Sequence, residues 1–298
     1  MTRNPLSLIF KDESVFAADY LPDELPGRHG QLQELFKKFR PVMHDPRRAH
    51  QEVMLEGPIG SGKTTLLCYF LRSILQFTKK AQEVQFTAFY LNCRKMTSPS
   101  RLLAAIIQHA DPSFPTQGLS LDELLQSVVA SYTDHRLHLI LCLDEFDALL
   151  DKHARHELLY SLVRLADDTL RFKMRLSLFL GTTDQKLPAM SDAWAVNILK
   201  CKPLFLPAYT VAQLEAILTQ RASIGLIHHG VERGVLSTIA RTVAQQGGGA
   251  RAAIELLWHA GNTAASSGAT TITLQHLVDS SVQWREADAT PEDYVAFS

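Results

Sequence analysis

The sequence predicts an α/β fold with a mostly parallel sheet flanked by helices, followed by a small all-α domain. Three observations carry this. Short apolar runs that read as buried strands alternate with stretches of helical periodicity as far as Pro207. A glycine-rich segment, GPIGSGKTT from Gly57 to Thr65, lies between one such run and one such helix. After Pro207 the strand signal stops and four helical stretches follow.

Each element has its own reason. An extended lead-in, Asp19 to Pro26, precedes a helix with Leu32, Leu35, Phe36 and Phe39 on one face. Val53-Met54-Leu55 is a short buried strand, and Leu66, Leu67, Phe70, Leu71 and Ile74 mark the helix after the glycines. Phe86 to Leu91 is a strand; Arg101 to His109 and Leu121 to Ser131 are helices joined by a loop from Asp111 to Gly118. His138 to Leu143 is an apolar strand that ends in Asp144-Glu145-Phe146-Asp147. A helix from Ala154 to Ala166, a strand from Leu176 to Leu180 and a short apolar run from Leu204 to Leu206 complete the alternation. Helices are then expected over Val211 to Ile224, Gly234 to Gln245, Ala250 to Ala265 and Leu274 to Trp284, with turn-rich breaks between them. The expected domains are residues 1–207, with a lead-in over 1–50, then 208–286, then a frayed tail over 287–298.

The 298 residues suffice for a sizeable core, and 46% hydrophobic with 20% charged residues is ordinary for a globular chain. A net charge of −1 gives no global pull toward nucleic acid or anionic membrane, so any DNA contact is expected from a local patch. None of the four cysteines is spaced as a metal ligand pair, and Cys68 and Cys142 fall at apolar positions. No apolar run approaches 18 residues, so the expectation is a soluble, cytoplasmic protein that is nucleoid-associated if it binds DNA.

Gly57 to Thr64 matches G-x-x-x-x-G-K-[ST]. Glycines let the backbone curl so that its N–H groups point at phosphate oxygens. Lys63 adds a charge at the β- and γ-phosphates, and the Thr64 hydroxyl is placed to ligate Mg²⁺. The helix that follows aims its positive end at the same anion. Asp144, at the carboxyl end of a buried strand, is the second expected Mg²⁺ ligand. Glu145 is the residue to polarise an attacking water. ATP or ADP with Mg²⁺ is therefore the expected cofactor, and weak ATPase activity the expected chemistry.

Seven segments in order give a resemblance: DYLPDELPGRHGQLQEL, YLNCR, GLSLDELL, LCLDEFDALL, LYSLVRL, LPAYTVAQLEAILTQRA and GGARAAIELLWHAG. From about Leu8 to Trp284 the chain resembles the AAA+ initiator ATPases of archaeal replication, relatives of the eukaryotic origin-recognition and helicase-loading proteins. The resemblance implies a P-loop AAA+ core with a helical lid, and ATP held between the two. It implies nucleotide contacts at Ser61, Gly62, Lys63, Thr64, Thr65, Tyr209 and Arg221, with a sensor arginine at Arg251; Gly57 and Gly60 of the glycine-rich loop are expected to bind the nucleotide as well. Arg28 is a further candidate to approach the nucleotide.

Three departures from the family pattern stand out. Asp184 occupies the place of a sensor asparagine, so Thr183 is expected to do the polar work there. The segment Ser191 to Cys201, which in the family supplies an arginine to a neighbouring subunit, contains none; hydrolysis is expected to be slow, with Lys200 a weak substitute. The family continues into a winged-helix domain that reads duplex DNA, whereas this sequence ends at Ser298; a chain truncated before that module is expected to make salt-sensitive backbone contacts.

The leading expectation is an ATP switch that self-associates, assembles on DNA and recruits a helicase-class partner. A mobile-element regulator that marks DNA for a transposase is an alternative, and a signalling or scaffold ATPase that never touches DNA is another. Candidate basic patches are Lys37, Lys38 and Arg40; Arg94 and Lys95; and Arg171, Lys173 and Arg175.

Overall fold

In the computed structural model, five strands form one parallel sheet in the order β2-β3-β4-β1-β5. The residues described are 8–78, 85–96, 98–133, 137–148, 152–167, 174–183 and 202–284. The strands are β1 (Glu52–Glu56), β2 (Gln85–Asn92), β3 (Leu137–Asp144), β4 (Arg175–Thr182) and β5 (Leu204–Phe205). Among the described residues, these α-helices accompany them: α1 (His29–His44), α2 (Lys63–Thr78), α3 (Pro99–Ala110), α4 (Leu121–Thr133) and α5 (Lys152–Asp167).

Both faces of the sheet are apolar, and the two-residue period sorts them. Leu139, Leu141 and Leu143 of β3 join Leu176, Leu178 and Leu180 of β4 in a core with Leu102, Ile106 and Leu162. Phe179 points the other way and meets Phe70 of α2 at 5.3 Å and Phe39 of α1 at 6.0 Å. The expected layers, a parallel sheet with helices on both faces, are the ones observed.

Register places the site. Asn92 lies opposite Asp144, and Leu55 opposite Gly181. The carboxyl ends of β1, β2, β3 and β4 therefore line up where open parallel sheets bind ligands. β5 is short, pairing with β1 at Leu55–Leu204 and Glu56–Phe205.

Four further helices follow: α6 (Val211–Gly225), α7 (Val235–Gln245), α8 (Ala250–Ser266) and α9 (Leu274–Trp284). Thr210 and Gln213 form a reciprocal capping box that starts α6. This part is not purely helical, because isolated bridges join Phe10 to Leu226 and Val231 to Ile272.

By packing, the described residues fall into an α/β unit, within 30–57 and 63–206, and a helical unit, within 8–29, 58–62 and 207–284. The division expected along the chain kept 1–207 together. The lead-in departs from it because Ile9, Val15 and Phe16 bury in one core with Leu214, Leu218, Ile239 and Leu257. Among the described residues no helix is long and apolar enough to cross a membrane.

Candidate nucleotide site

In the α/β unit, β1 runs into Gly57 and α2 opens at Lys63. Lys63 is buried, and its Nζ donates to the Gly57 carbonyl at 2.8 Å. Burial lowers the pKa of this ammonium, while the charges of Asp144, Asp147 and Glu145 raise it.

Asp144 is fully buried at the end of β3. Its Oδ2 accepts from the Thr64 hydroxyl and, at 2.8 Å, from the Tyr90 hydroxyl; its Oδ1 accepts from the Glu145 N–H at 3.0 Å. Neighbouring β4 carries Gly181 there, and a Cβ at that position would run into Asp144 Oδ1. Only glycine leaves room for the carboxylate.

Glu145 has a backbone φ of 50°, a conformation that costs a side-chain-bearing residue energy and turns the chain sharply after β3. Its Oε2 stands 2.8 Å from Arg94 Nε as an ion pair, outside hydrogen-bond alignment. Arg94, expected in a basic surface patch, is thus occupied by the candidate water-polarising residue. Thr183 donates its hydroxyl to Asp147 Oδ2 at 2.6 Å and its N–H to Oδ1 at 3.2 Å. Three free cysteines, Cys68, Cys93 and Cys142, are core residues; burial and the nearby Asp144 push the Cys68 thiol up to about 12.

In the helical unit, the loop tip turns through Gly60 and Gly62, at φ 75° and 84°. Ser61 N donates to Pro58 O at 3.2 Å, and the Ser61 hydroxyl is buried with no hydrogen-bond partner among the described residues. Tyr209 lies against the loop so closely that a Cβ on Gly62 would collide with its hydroxyl. One face of the Tyr209 ring is covered by the Arg28 guanidinium at 3.8 Å.

Arg221 is buried against the lead-in. It donates to Val15 O at 2.9 Å and Tyr20 O at 3.4 Å, and stacks on the Tyr20 ring at 4.3 Å. Burial lowers its pKa to about 10. Arg251, in the first turn of α8, is half exposed and pairs with Glu255 at 2.8 Å, one turn along the same helix.

Of the expected site residues, the structure brings Gly57, Lys63, Thr64 and Asp144 together, with Thr65 next in the first turn of α2. Asp184, Ser191 to Cys201 with Lys200, and Arg171 and Lys173 lie outside the described residues. Sequence reasoning missed Tyr90 and Asp147. A tyrosine within the apolar stretch Ala88 to Leu91 carries a hydroxyl that needs a partner once buried, which is the signal that could have found it.

Comparison with known proteins matches residues 47–187 to an AAA domain and residues 215–281 to a Cdc6 AAA+ ATPase-type lid domain. The chain is similar to AAA+ ATPases of the Orc1/Cdc6 type. The first match spans the loop, Asp144 and Glu145; the second spans Arg221 and Arg251. The ORC1-type DNA replication protein 1 of Sulfurisphaera tokodaii is 28% identical over 271 residues, 91% of this chain and 66% of that protein. The Aeropyrum pernix Orc1 protein, solved in complex with DNA, superposes with a TM-score of 0.84 at 27% identity, covering 93% of this chain and 70% of that one. The Aeropyrum pernix Orc2 protein, solved as ADPNP and ADP complexes, has the same fold, with a TM-score of 0.81 at 24% identity over 92% of this chain and 73% of that one. Against its first two curated Orc1-type relatives, the chain spans 66% and 64% of their length.

Proposed function

We propose that this chain binds ATP with Mg²⁺, turns it over slowly, and uses the nucleotide state to control association with DNA and with a recruited partner in replication initiation. The observation that carries the nucleotide reading is the cluster at the end of β3: a buried Asp144 bonded to Thr64 and Tyr90, beside a buried Lys63 at the mouth of the loop.

The residues present fit Mg²⁺. It prefers oxygen ligands and takes only one or two from protein, leaving the rest to phosphate and water. Thr64 and Asp144 supply two oxygens in contact, and no group of three or more metal-binding side chains competes among the described residues. A hydroxyl has one proton and two lone pairs, so Thr64 can keep its proton on Asp144 and turn a lone pair to the metal. Bound Mg²⁺ would neutralise charge on the β- and γ-phosphate oxygens.

Lys63, whose ammonium donates to the Gly57 carbonyl, sets its positive charge at the start of α2, where phosphate oxygens would lie. The loop N–H groups of Gly60 to Thr65 cradle the same anion. Glu145 orients the attacking water once its carboxylate is released from the ion pair with Arg94. Thr183 reaches the site through Asp147. Arg221 acts on the nucleotide through the lead-in it braces, and Arg251 does so by exchanging Glu255 for phosphate.

The DNA reading is supported by the Orc1-type relatives and by the DNA complex of the Aeropyrum pernix Orc1 protein. Exposed Lys37 and Arg40 of α1, with Lys95 after β2, offer backbone contacts. Self-association in the ATP state accompanies assembly on DNA.

The deciding experiment is light scattering after size-exclusion chromatography, with ADP or a non-hydrolysable ATP analogue, with and without a 60-base-pair duplex of generic sequence. The expected result is ATP-dependent assembly on the duplex, weakened by salt, with Lys63→Ala unable to bind nucleotide. A monomer indifferent to DNA in both nucleotide states overturns the DNA reading and points to a nucleotide-dependent scaffold.

A further inference from the structure

Arg28 is among the largest fully buried side chains, at 1% exposure. Four of its five N–H donors are taken by backbone carbonyls. Nε and Nη2 both reach Ser61 O, at 3.0 and 2.8 Å. Nη2 also reaches Pro207 O at 2.6 Å, and Nη1 reaches Gly27 O at 3.1 Å. The guanidinium plane lies 3.8 Å from the centre of the Tyr209 ring. No carboxylate pairs with it among the described residues, and burial lowers its pKa. A desolvated cation with no ion-pair partner is costly to keep unless it does something a neutral side chain cannot.

The peptide joining Ser61 to Gly62 indicates what that is. In a trans peptide the C=O and the following N–H point to opposite sides. A loop that binds phosphate turns its N–H groups inward, so its carbonyls face out and, where buried, need donors. Arg28 holds the Ser61 carbonyl from outside with two N–H groups. The Gly62 N–H is thereby directed the opposite way, toward the inside of the turn. The φ of 84° at Gly62 belongs to the same turn.

The same guanidinium holds the Pro207 carbonyl and the Tyr209 ring, at the start of α6. Tyr209 in turn closes over Gly62. One buried cation thus joins the phosphate loop to the first residues of the lid.

We propose that Arg28 is a positioning residue of the nucleotide site. It holds the loop in its anion-binding form through the Ser61 carbonyl and ties that form to the lid at Pro207 and Tyr209. It acts on phosphate through the loop, because four of its five N–H groups are committed to carbonyls. The proposal rests on the nucleotide-binding reading above.

The test uses the full chain as wild type, Arg28→Lys and Arg28→Met. Calorimetry measures binding of Mg·ATP and of Mg·tripolyphosphate, and a thermal melt without ligand measures folding. A hydrogen bond to a charged donor contributes about 1.5–3 kcal/mol, so Kd is expected to rise roughly 10- to 100-fold in Arg28→Met. The loss should be equal for ATP and tripolyphosphate, because the damage is to the phosphate cradle and not to a base contact. Lysine keeps the charge but offers a single compact head where two carbonyls must be spanned, so Arg28→Lys recovers only part of the loss. A merely structural role predicts a lowered melt with unchanged Kd in the folded fraction, and that result overturns the proposal. A loss for ATP with none for tripolyphosphate also overturns it. Should Arg28→Met fail to fold, Arg28→Lys, with charge and packing retained, decides by the same readings. Absence of binding by the wild type would instead refute the nucleotide reading, and this proposal with it.

Discussion

Tyr90→Phe removes one oxygen from the middle of the site and little else. Tyr90 sits on edge strand β2, 4% exposed, with its hydroxyl 2.8 Å from Asp144 Oδ2. Phenylalanine fills the same ring space, so no cavity opens. What is lost is a hydrogen bond to a buried carboxylate, on the order of 1.5–3 kcal/mol. Asp144 keeps the Thr64 hydroxyl and the Glu145 N–H, which places the expected loss near the middle of that range, about 2 kcal/mol. For a unit of this size, about 2–4 °C of melting temperature accompanies each kcal/mol, so the melt is expected to fall by roughly 4–8 °C. The assay is thermal unfolding of wild type and variant, each with and without a non-hydrolysable Mg·ATP analogue. Asp144 with one donor fewer leans harder on the metal, so the analogue should raise the melt more in the variant. A variant that melts within about 1 °C of wild type would refute the reasoning, because the missing bond would then carry no net stability.

The remaining expectations follow from neighbouring contacts. Glu145→Gln should keep nucleotide affinity within about twofold and trap the ATP state, while Arg94→Ala, which frees the Glu145 carboxylate, should raise turnover; normal turnover in Glu145→Gln, measured by phosphate release, removes that residue from its assigned role. Gly181→Ala forces a methyl into Asp144 Oδ1 and should cost about 1–3 kcal/mol by urea unfolding, with weakened Mg²⁺-dependent nucleotide binding; unchanged binding would contradict the packing described. His138 is fully buried, 3.0 Å from Pro46 O and 2.9 Å from Ser177 Oγ, and faces Arg175 and His50. Burial, foremost, lowers its pKa from 6.5 to about 4, so below 6.5 the unfolded chain takes up a proton that the folded chain refuses. Stability is therefore full above 6.5 and falls toward 4, by about 2 kcal/mol between pH 7 and pH 5, and His138→Gln should flatten that slope in urea titrations.

Much of this molecule was legible in its chain. Strands and helices fall where apolar period and turn residues placed them, because those signals act within a few residues. β3 reads as HLILCLD and is buried nearly throughout; α2 begins at Lys63, directly after the glycines that turn the loop. The meeting of Thr64 with Asp144 was also foreseeable, since one motif ends at the start of a helix and the other at the end of a parallel strand.

Which partner each buried polar group takes was decided only in three dimensions. Arg28 meets Ser61 and Pro207, 33 and 179 residues away. Arg221 turned out to brace Val15 and Tyr20, 206 and 201 residues away, and Arg94 proved to be Glu145's ion-pair partner rather than a free surface cation. The lead-in joined the helical unit because Val15 and Phe16 found their apolar partners on α6 and α7. The physical reason is plainest for the two buried arginines. Local periodicity says that a side chain is buried, but a buried donor or charge is satisfied by whichever group the register of distant strands and helices brings within about 3 Å. That distance is set by the packing of the whole unit and is not written in any one segment.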